Sequence, residues 1–197
     1  MPCPANRARR AALWDIRREC DDAGHPQGTT EGAVLAEDDH RAPAAVLFDA
    51  LGLDYEKAFA ASEAHRDSLR WLLERLEPGS RVLDVGSGTG RPTAGTLSDA
   101  GHEVLGVDVS PVMVDVASRQ VPGAVFRLGD IRELPLDEAS FDAVCVYFSL
   151  LQMSRAEQSA VVARLARALR PGGYAVLATV PLDLEAVEGG SWGSRYG

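Results

Sequence analysis

Apolar positions follow two rhythms along this chain, and the change from one to the other outlines the fold. Leu69, Leu72, Leu73 and Leu76 recur on one face of a 3.6-residue period, so a helix is predicted over 55–76. Glu77-Pro78-Gly79-Ser80 stops it. Beyond that point short apolar runs alternate with helical stretches. Strands are predicted over 81–85, 103–107, 125–128, 141–147 and 174–180, and helices over 92–100, 111–119 and 154–169. The boundaries carry their own chemistry. Ser110-Pro111 is an N-cap followed by proline at the first helical position, and Ser154-Arg155-Ala156-Glu157 is a capping box. Gly101 and Pro171-Gly172-Gly173 are helix stops. Strands alternating with helices through short Gly/Pro turns predict an α/β fold with a doubly wound, mostly parallel sheet.

The flanks lack this patterning. Residues 1–43 read as a poorly patterned, mobile leader, with a loop at His25-Pro26-Gln27-Gly28 and an acidic cluster at Glu37-Asp38-Asp39. The patterned domain covers 44–181, and 182–197 reads as an irregular tail rather than two further strands. The length of 197 residues suits one domain with an extension. A net charge of -9 argues against a broad phosphate-binding face and so against a nucleic-acid partner. No apolar run approaches the roughly 20 residues that span a bilayer, so no membrane partner is expected. Cys3, Cys20 and Cys145 have no metal-ligand spacing and are odd in number, which points to a reduced, cytoplasmic protein without a metal.

The candidate chemistry sits at the predicted strand tips. Val82-Leu83-Asp84-Val85-Gly86-Ser87-Gly88-Thr89-Gly90 runs from a buried strand into a glycine-rich turn, and Arg91-Pro92-Thr93 then starts a helix. Glycine there lets a ligand approach the backbone closely. The spacing is G-x-G-x-G. A dinucleotide fingerprint would place Gly or Ala at 91, where this chain has Arg91, so a nicotinamide-linked oxidoreductase is disfavoured. Strand one thus delivers Asp84, which suits an ammonium better than a pyrophosphate. Strand two delivers Asp108, able to accept both hydroxyls of a ribose. Strand three delivers Asp130 and Ile131, a carboxylate and a backbone N–H that together match an adenine edge, while Val109 and Met113 can flank the base. Strand four delivers Tyr147, Phe148 and Ser149, and Tyr147 and Ser149 with Gln152 form an acceptor-facing polar set. Asp142 lies at the opposite edge of the sheet and reads as structural. His65, between polar neighbours Arg66 and Asp67, reads as part of a solvated face.

These residues resemble class I S-adenosylmethionine-dependent methyltransferases of the small-molecule type. The matching stretches are 82–90, Gly106-Val107-Asp108-Val109-Ser110-Pro111, Gly129-Asp130-Ile131 with Leu134-Pro135-Leu136, Phe141-Asp142-Ala143-Val144, and Leu169-Arg170-Pro171-Gly172-Gly173. The resemblance implies a Rossmann-like methyltransferase fold and S-adenosyl-L-methionine as cofactor. It places Gly86, Ser87 and Gly88 along the methionine part, Asp84 and the Tyr147 carbonyl near the ammonium, and Arg91 near the carboxylate, with Gly90 also in the cofactor-binding set. Asp108 would hold the ribose, Asp130 and Ile131 would read the adenine, and Tyr55 would belong to the segment that closes over the cofactor. The implied reaction is methyl transfer to a small organic acceptor by in-line displacement, with Ser149 and Gln152 facing the acceptor and no dedicated catalytic residue. The family's sheet usually has two more C-terminal strands than are legible here. The alternative is therefore a methyltransferase-like protein that binds cofactor but is catalytically incomplete.

Overall fold

The structure is a computed structural model and describes residues 62–179. The predicted leader, Tyr55 and the predicted tail lie outside the described residues. The elements in chain order are α1 (Glu63–Leu73), β1 (Arg81–Val85), α2 (Thr93–Asp99), β2 (Glu103–Asp108), α3 (Pro111–Gln120), β3 (Val125–Leu128), β4 (Phe141–Tyr147), α4 (Arg155–Ala168) and β5 (Leu169–Ala178). The strands form one sheet in the order β3-β2-β1-β4-β5, and every neighbouring pair is parallel. The chain thus winds outward through β2 and β3, then crosses back to lay β4 on the other side of β1. That reversal opens a crevice at the carboxyl ends of β1 and β4, the usual ligand position in such sheets.

Local chemistry sets these boundaries. Ser62 caps α1 by accepting the His65 N–H at 3.3 Å. The helix ends at Leu73, short of the predicted Leu76, because the Arg75 and Leu76 amides both turn back onto the Leu72 carbonyl, at 3.0 and 3.1 Å. Ser110 caps α3 through the Met113 N–H at 3.0 Å, and the capping box at Ser154 and Glu157 opens α4 as its sequence predicts. Successive side chains of β1 and β4 alternate between faces. Val82, Ala143 and Cys145 pack with Leu69 and Leu72 of α1 and Leu97 of α2; Leu83, Val85, Val144 and Val146 pack with Val161 and Leu165 of α4. Both central strands therefore pack apolar side chains on both faces, and burial of each valine or leucine among them contributes about 1.5–3 kcal/mol.

The helix stop at Pro171-Gly172-Gly173 departs from its prediction. Strand β5 starts at Leu169, directly after α4, and the pairing with β4 jumps from Phe141↔Leu169 to Ala143↔Tyr174. The segment 170–173 bulges out of the ladder, with Gly172 at φ 80°. Arg170 in that bulge pairs with Asp142, whose other oxygen accepts the Arg81 N–H at 2.7 Å. Asp142 thus ties β1, β4 and β5 together at their amino ends, a structural role. Among the described residues no helix is long and apolar enough to cross a membrane.

Gly106, in the middle of β2, is a packing requirement. A Cβ there would lie 2.4 Å from the Phe126 ring and 2.9 Å from the Ser87 Cβ. Gly106→Ala is expected to destabilise the domain by about 2 kcal/mol through overpacking, read as a lower midpoint in urea denaturation with an unchanged slope.

Candidate functional site

The turn after β1 is pinned before it can hold anything. The Gly86 and Ser87 N–H groups both donate to the Val107 carbonyl of β2, at 2.8 and 3.1 Å, and the Gly90 N–H returns to the Ser87 carbonyl at 2.9 Å. Gly86 and Gly88 take left-handed φ values of 66° and 52°. A Cβ on Gly86 would sit 2.1 Å from that of Ser149, so the turns after β1 and β4 are in close contact. A Cβ on Gly88 would meet nothing within 4 Å. Of the glycines in this turn, Gly88 is the one that faces open space from a backbone other residues rarely adopt.

Two adjoining cavities flank this turn. The larger, about 260 Å³, is lined by Gly88, Asp108, Val109, Met113, Asp130 and Ile131, and reaches Ser149 and Gln152. The smaller, about 40 Å³, contains Asp84, Ser87, Arg91 and Tyr147. Gly86, Gly88 and Phe148 line both, so the two meet around the glycine turn. Phe148 stands between them with a left-handed φ of 56°, uncommon for an aromatic residue. The three strand-tip carboxylates therefore divide: Asp108 and Asp130 on one side, Asp84 on the other side of a shared wall.

Each carboxylate has a different state. Asp84 is 2% exposed and its Oδ2 has no hydrogen-bond partner. Burial, then repulsion from Asp108, pushes its pKa up to about 7, against a smaller opposing pull from the Ala94 N–H. Asp108 is also buried, but both oxygens are in use: Oδ2 accepts the Gly88 N–H at 2.8 Å and Oδ1 the Ser110 N–H at 2.9 Å. It braces the glycine turn and the start of α3 together. Asp130 is gripped by Arg132. Its oxygens accept the Arg132 amide at 2.8 Å, Nε at 2.9 and 3.1 Å, and Nη2 at 2.6 Å, and these bonds hold its pKa below the ordinary carboxylate range. Arg132 also bridges to Glu157 in the first turn of α4. Two further buried hydroxyls at the turn, Ser87 Oγ and Ser149 Oγ, have no partner.

Three expectations change in place. Gly90 lines neither cavity; it is turned inward, where a Cβ would press on Phe126 at 2.9 Å and Val121 at 3.1 Å. The Tyr147 side chain does not join Ser149 and Gln152. Its hydroxyl lies 2.7 Å from Ser68 Oγ on α1 and its ring faces the smaller cavity, because odd-numbered β4 residues point to the α1 side. His65 is not on a solvated face. It is buried against Tyr147, with ring centroids 3.8 Å apart, and its Nε2 lies 2.9 Å from Thr93 Oγ1. Arg91 does reach the smaller cavity, while its guanidinium donates to the Gln120 carbonyl at 3.3 Å. Sequence reasoning missed Arg132, Met153 and Glu157 in the larger cavity and His65 and Thr93 in the smaller. A signal existed for His65: it continues the Leu69, Leu72, Leu76 stripe one turn earlier.

A parallel sheet of this order, with a glycine turn after β1 and an acid at each of three successive strand tips, is the Rossmann-like fold shared by S-adenosylmethionine-dependent methyltransferases. Residues 82–173 match the family described as a methyltransferase domain. The chain is 37% identical over 150 residues to a demethylmenaquinone methyltransferase of Beutenbergia cavernae, covering 74% of this chain and 60% of that protein. It is 33% identical over 120 residues to an O-methyltransferase of Pyrenophora dematioidea, covering 57% of this chain and 44% of that protein. Among solved structures, a TehB-like S-adenosylmethionine-dependent methyltransferase from Corynebacterium glutamicum superposes with a TM-score of 0.58 at 27% identity, over 67% of this chain and 72% of that one. The chain thus spans about half the length of the curated relatives it matches.

Proposed function

We propose that this chain transfers a methyl group from S-adenosylmethionine to a small organic acceptor. The observation that carries this reading is the trio of buried, unpartnered atoms Asp84 Oδ2, Ser87 Oγ and Ser149 Oγ, set around a left-handed glycine turn at the sheet's switch point. Buried polar atoms without partners are uncommon in folded proteins. A ligand with an ammonium at one end gives Asp84 the counter-charge it lacks. On this reading Gly86, Ser87 and Gly88 run beside the amino-acid end, with Arg91 and the Tyr147 carbonyl, and Asp108 accepts the ribose hydroxyls. Val109, Met113 and Ile131 give the base an apolar bed. Asp130 reaches the base amine only if Arg132 gives up part of its grip.

Bound S-adenosylmethionine supplies a methyl group on a positively charged sulfonium. The chain supplies position. Its glycine turn fixes the depth of approach, Phe148 and Met153 keep water from the wall of the cavity, and Ser149 and Gln152 orient an acceptor beside it. In-line displacement needs no enzyme nucleophile, so positioning and exclusion of water account for catalysis. The Beutenbergia demethylmenaquinone methyltransferase and the Pyrenophora O-methyltransferase support a small organic acceptor here. A reducing, cytoplasmic setting fits Cys145, a buried free thiol whose pKa is raised by burial.

The test is calorimetry with S-adenosylmethionine and S-adenosylhomocysteine, followed by transfer of a labelled methyl group to a panel of phenols, quinols, amines and thiols. Saturable binding of both ligands with label appearing in one acceptor class is the expected result. Binding with no transfer to any acceptor reduces the protein to a cofactor binder. No heat with either ligand ends the proposal.

A further inference from the structure

His65 is a buried polar residue at a position where the helix pattern calls for an apolar one. Leucine there would continue the stripe of Leu69 and Leu72 with no polar atom to satisfy. The imidazole instead joins three elements. Its Nε2 meets Thr93 Oγ1 at the start of α2 at 2.9 Å, and its ring stacks on Tyr147 at the end of β4 with planes 24° apart. One turn along α1, Ser68 donates its hydroxyl to the His65 carbonyl at 2.7 Å and meets the Tyr147 hydroxyl at 2.7 Å. All three rim groups, His65, Thr93 and Tyr147, line the small cavity that also contains Asp84. Burial holds the imidazole pKa below its ordinary value, so the ring is uncharged at neutral pH. A neutral ring leaves Asp84 free to pair with a cationic guest, which a lysine or arginine at this place would displace.

We infer that His65 is a positioning residue for the amino-acid end of the cofactor, holding Thr93 and Tyr147 as the rim of the cavity beside Asp84. This rests on the cofactor assignment above, and the two are tested apart. The probes are S-adenosylhomocysteine and 5′-methylthioadenosine, which keeps the nucleoside and lacks the amino-acid end. His65→Leu is expected to weaken S-adenosylhomocysteine about tenfold and leave methylthioadenosine within about twofold. Thr93→Val has the same selective effect, and the double variant is no worse than the stronger single one, as for partners in one contact. His65→Gln, which retains a hydrogen-bonding group, restores part of the loss. Should His65→Leu fail to fold, Thr93→Val reads the same ratio. Parallel weakening of both probes would assign His65 to general stability alone, and an unchanged ratio would remove its role altogether. A wild-type protein that binds neither probe overturns the cofactor assignment, and this inference with it.

Discussion

Asp108→Ala is expected to reduce affinity for S-adenosylhomocysteine by several hundredfold and to lower the stability of the ligand-free domain as well. The two losses have separate causes. A carboxylate accepting two ribose hydroxyls contributes on the order of 3–4 kcal/mol, about 1.5–3 for each charge-assisted bond less some overlap. The same carboxylate is the acceptor for the Gly88 and Ser110 N–H groups, the latter in a fully buried residue. Leaving those donors unpaired costs about 2 kcal/mol of folding free energy. A ligand pair separates the effects. Wild-type protein should discriminate strongly between S-adenosylhomocysteine and its 2′,3′-dideoxyribose analogue, and the variant should bind both equally weakly. If Asp108→Ala still discriminates between them, the ribose is read by another group.

The second large effect is expected at Asp84, with opposite signs for binding and stability. Its pKa of about 7 lies far above the ordinary 3.8. At pH 8 the folded and unfolded states are both ionised, and the fold bears the full penalty of a buried charge. As pH falls through 7 the folded state takes up its proton first, and the penalty is relieved progressively until about pH 4. The ligand-free domain therefore gains stability on mild acidification from this group, up to a ceiling of about 4 kcal/mol at about 1.4 kcal/mol per pH unit. Asp84→Asn should abolish that pH dependence and raise ligand-free stability at pH 8 by on the order of 2 kcal/mol, allowing for the amide's own desolvation. The same variant should bind S-adenosylhomocysteine over a hundredfold more weakly at pH 8, having no charge to offer an ammonium. Wild-type affinity should rise with pH through about 7, with release of up to one proton per ligand bound. Calorimetry in buffers of different ionisation enthalpy counts that proton. Binding without proton release at pH 6.5 would show that Asp84 is not the ammonium's partner.

The parallel sheet was legible because its signals are local and repeated. Apolar runs at β1 and β4, caps at Ser110 and Ser154 and glycine at the turns all point the same way. Candidate residues at the strand tips were legible for the same reason, since a strand's end fixes where the next few side chains go. What periodicity could not reveal was partnership across the fold. Nothing near Asp130 in the chain says that Arg132 folds back over it and reaches on to Glu157, because that depends on where α4 begins in space. Gly90 shares the turn's composition, yet its direction is decided by Phe126 and Val121 from elsewhere in the chain. The polar neighbours Arg66 and Asp67 concealed His65, although helical spacing alone puts it on the buried stripe. The helix stop at 171–173 became a bulge because Asp142 captures Arg170, a tertiary contact invisible to local rules.

Phe148 bears on how this domain would respond to selection in the laboratory. Its left-handed backbone places about 1 kcal/mol of strain at the partition between two chambers. Glycine there would remove that strain but also the ring's packing against the core around Tyr147, a loss of about 2 kcal/mol or more, so a library screened for heat resistance alone would retain the aromatic ring. The strain and the wall it maintains would then survive selection together, and the two chambers would stay apart.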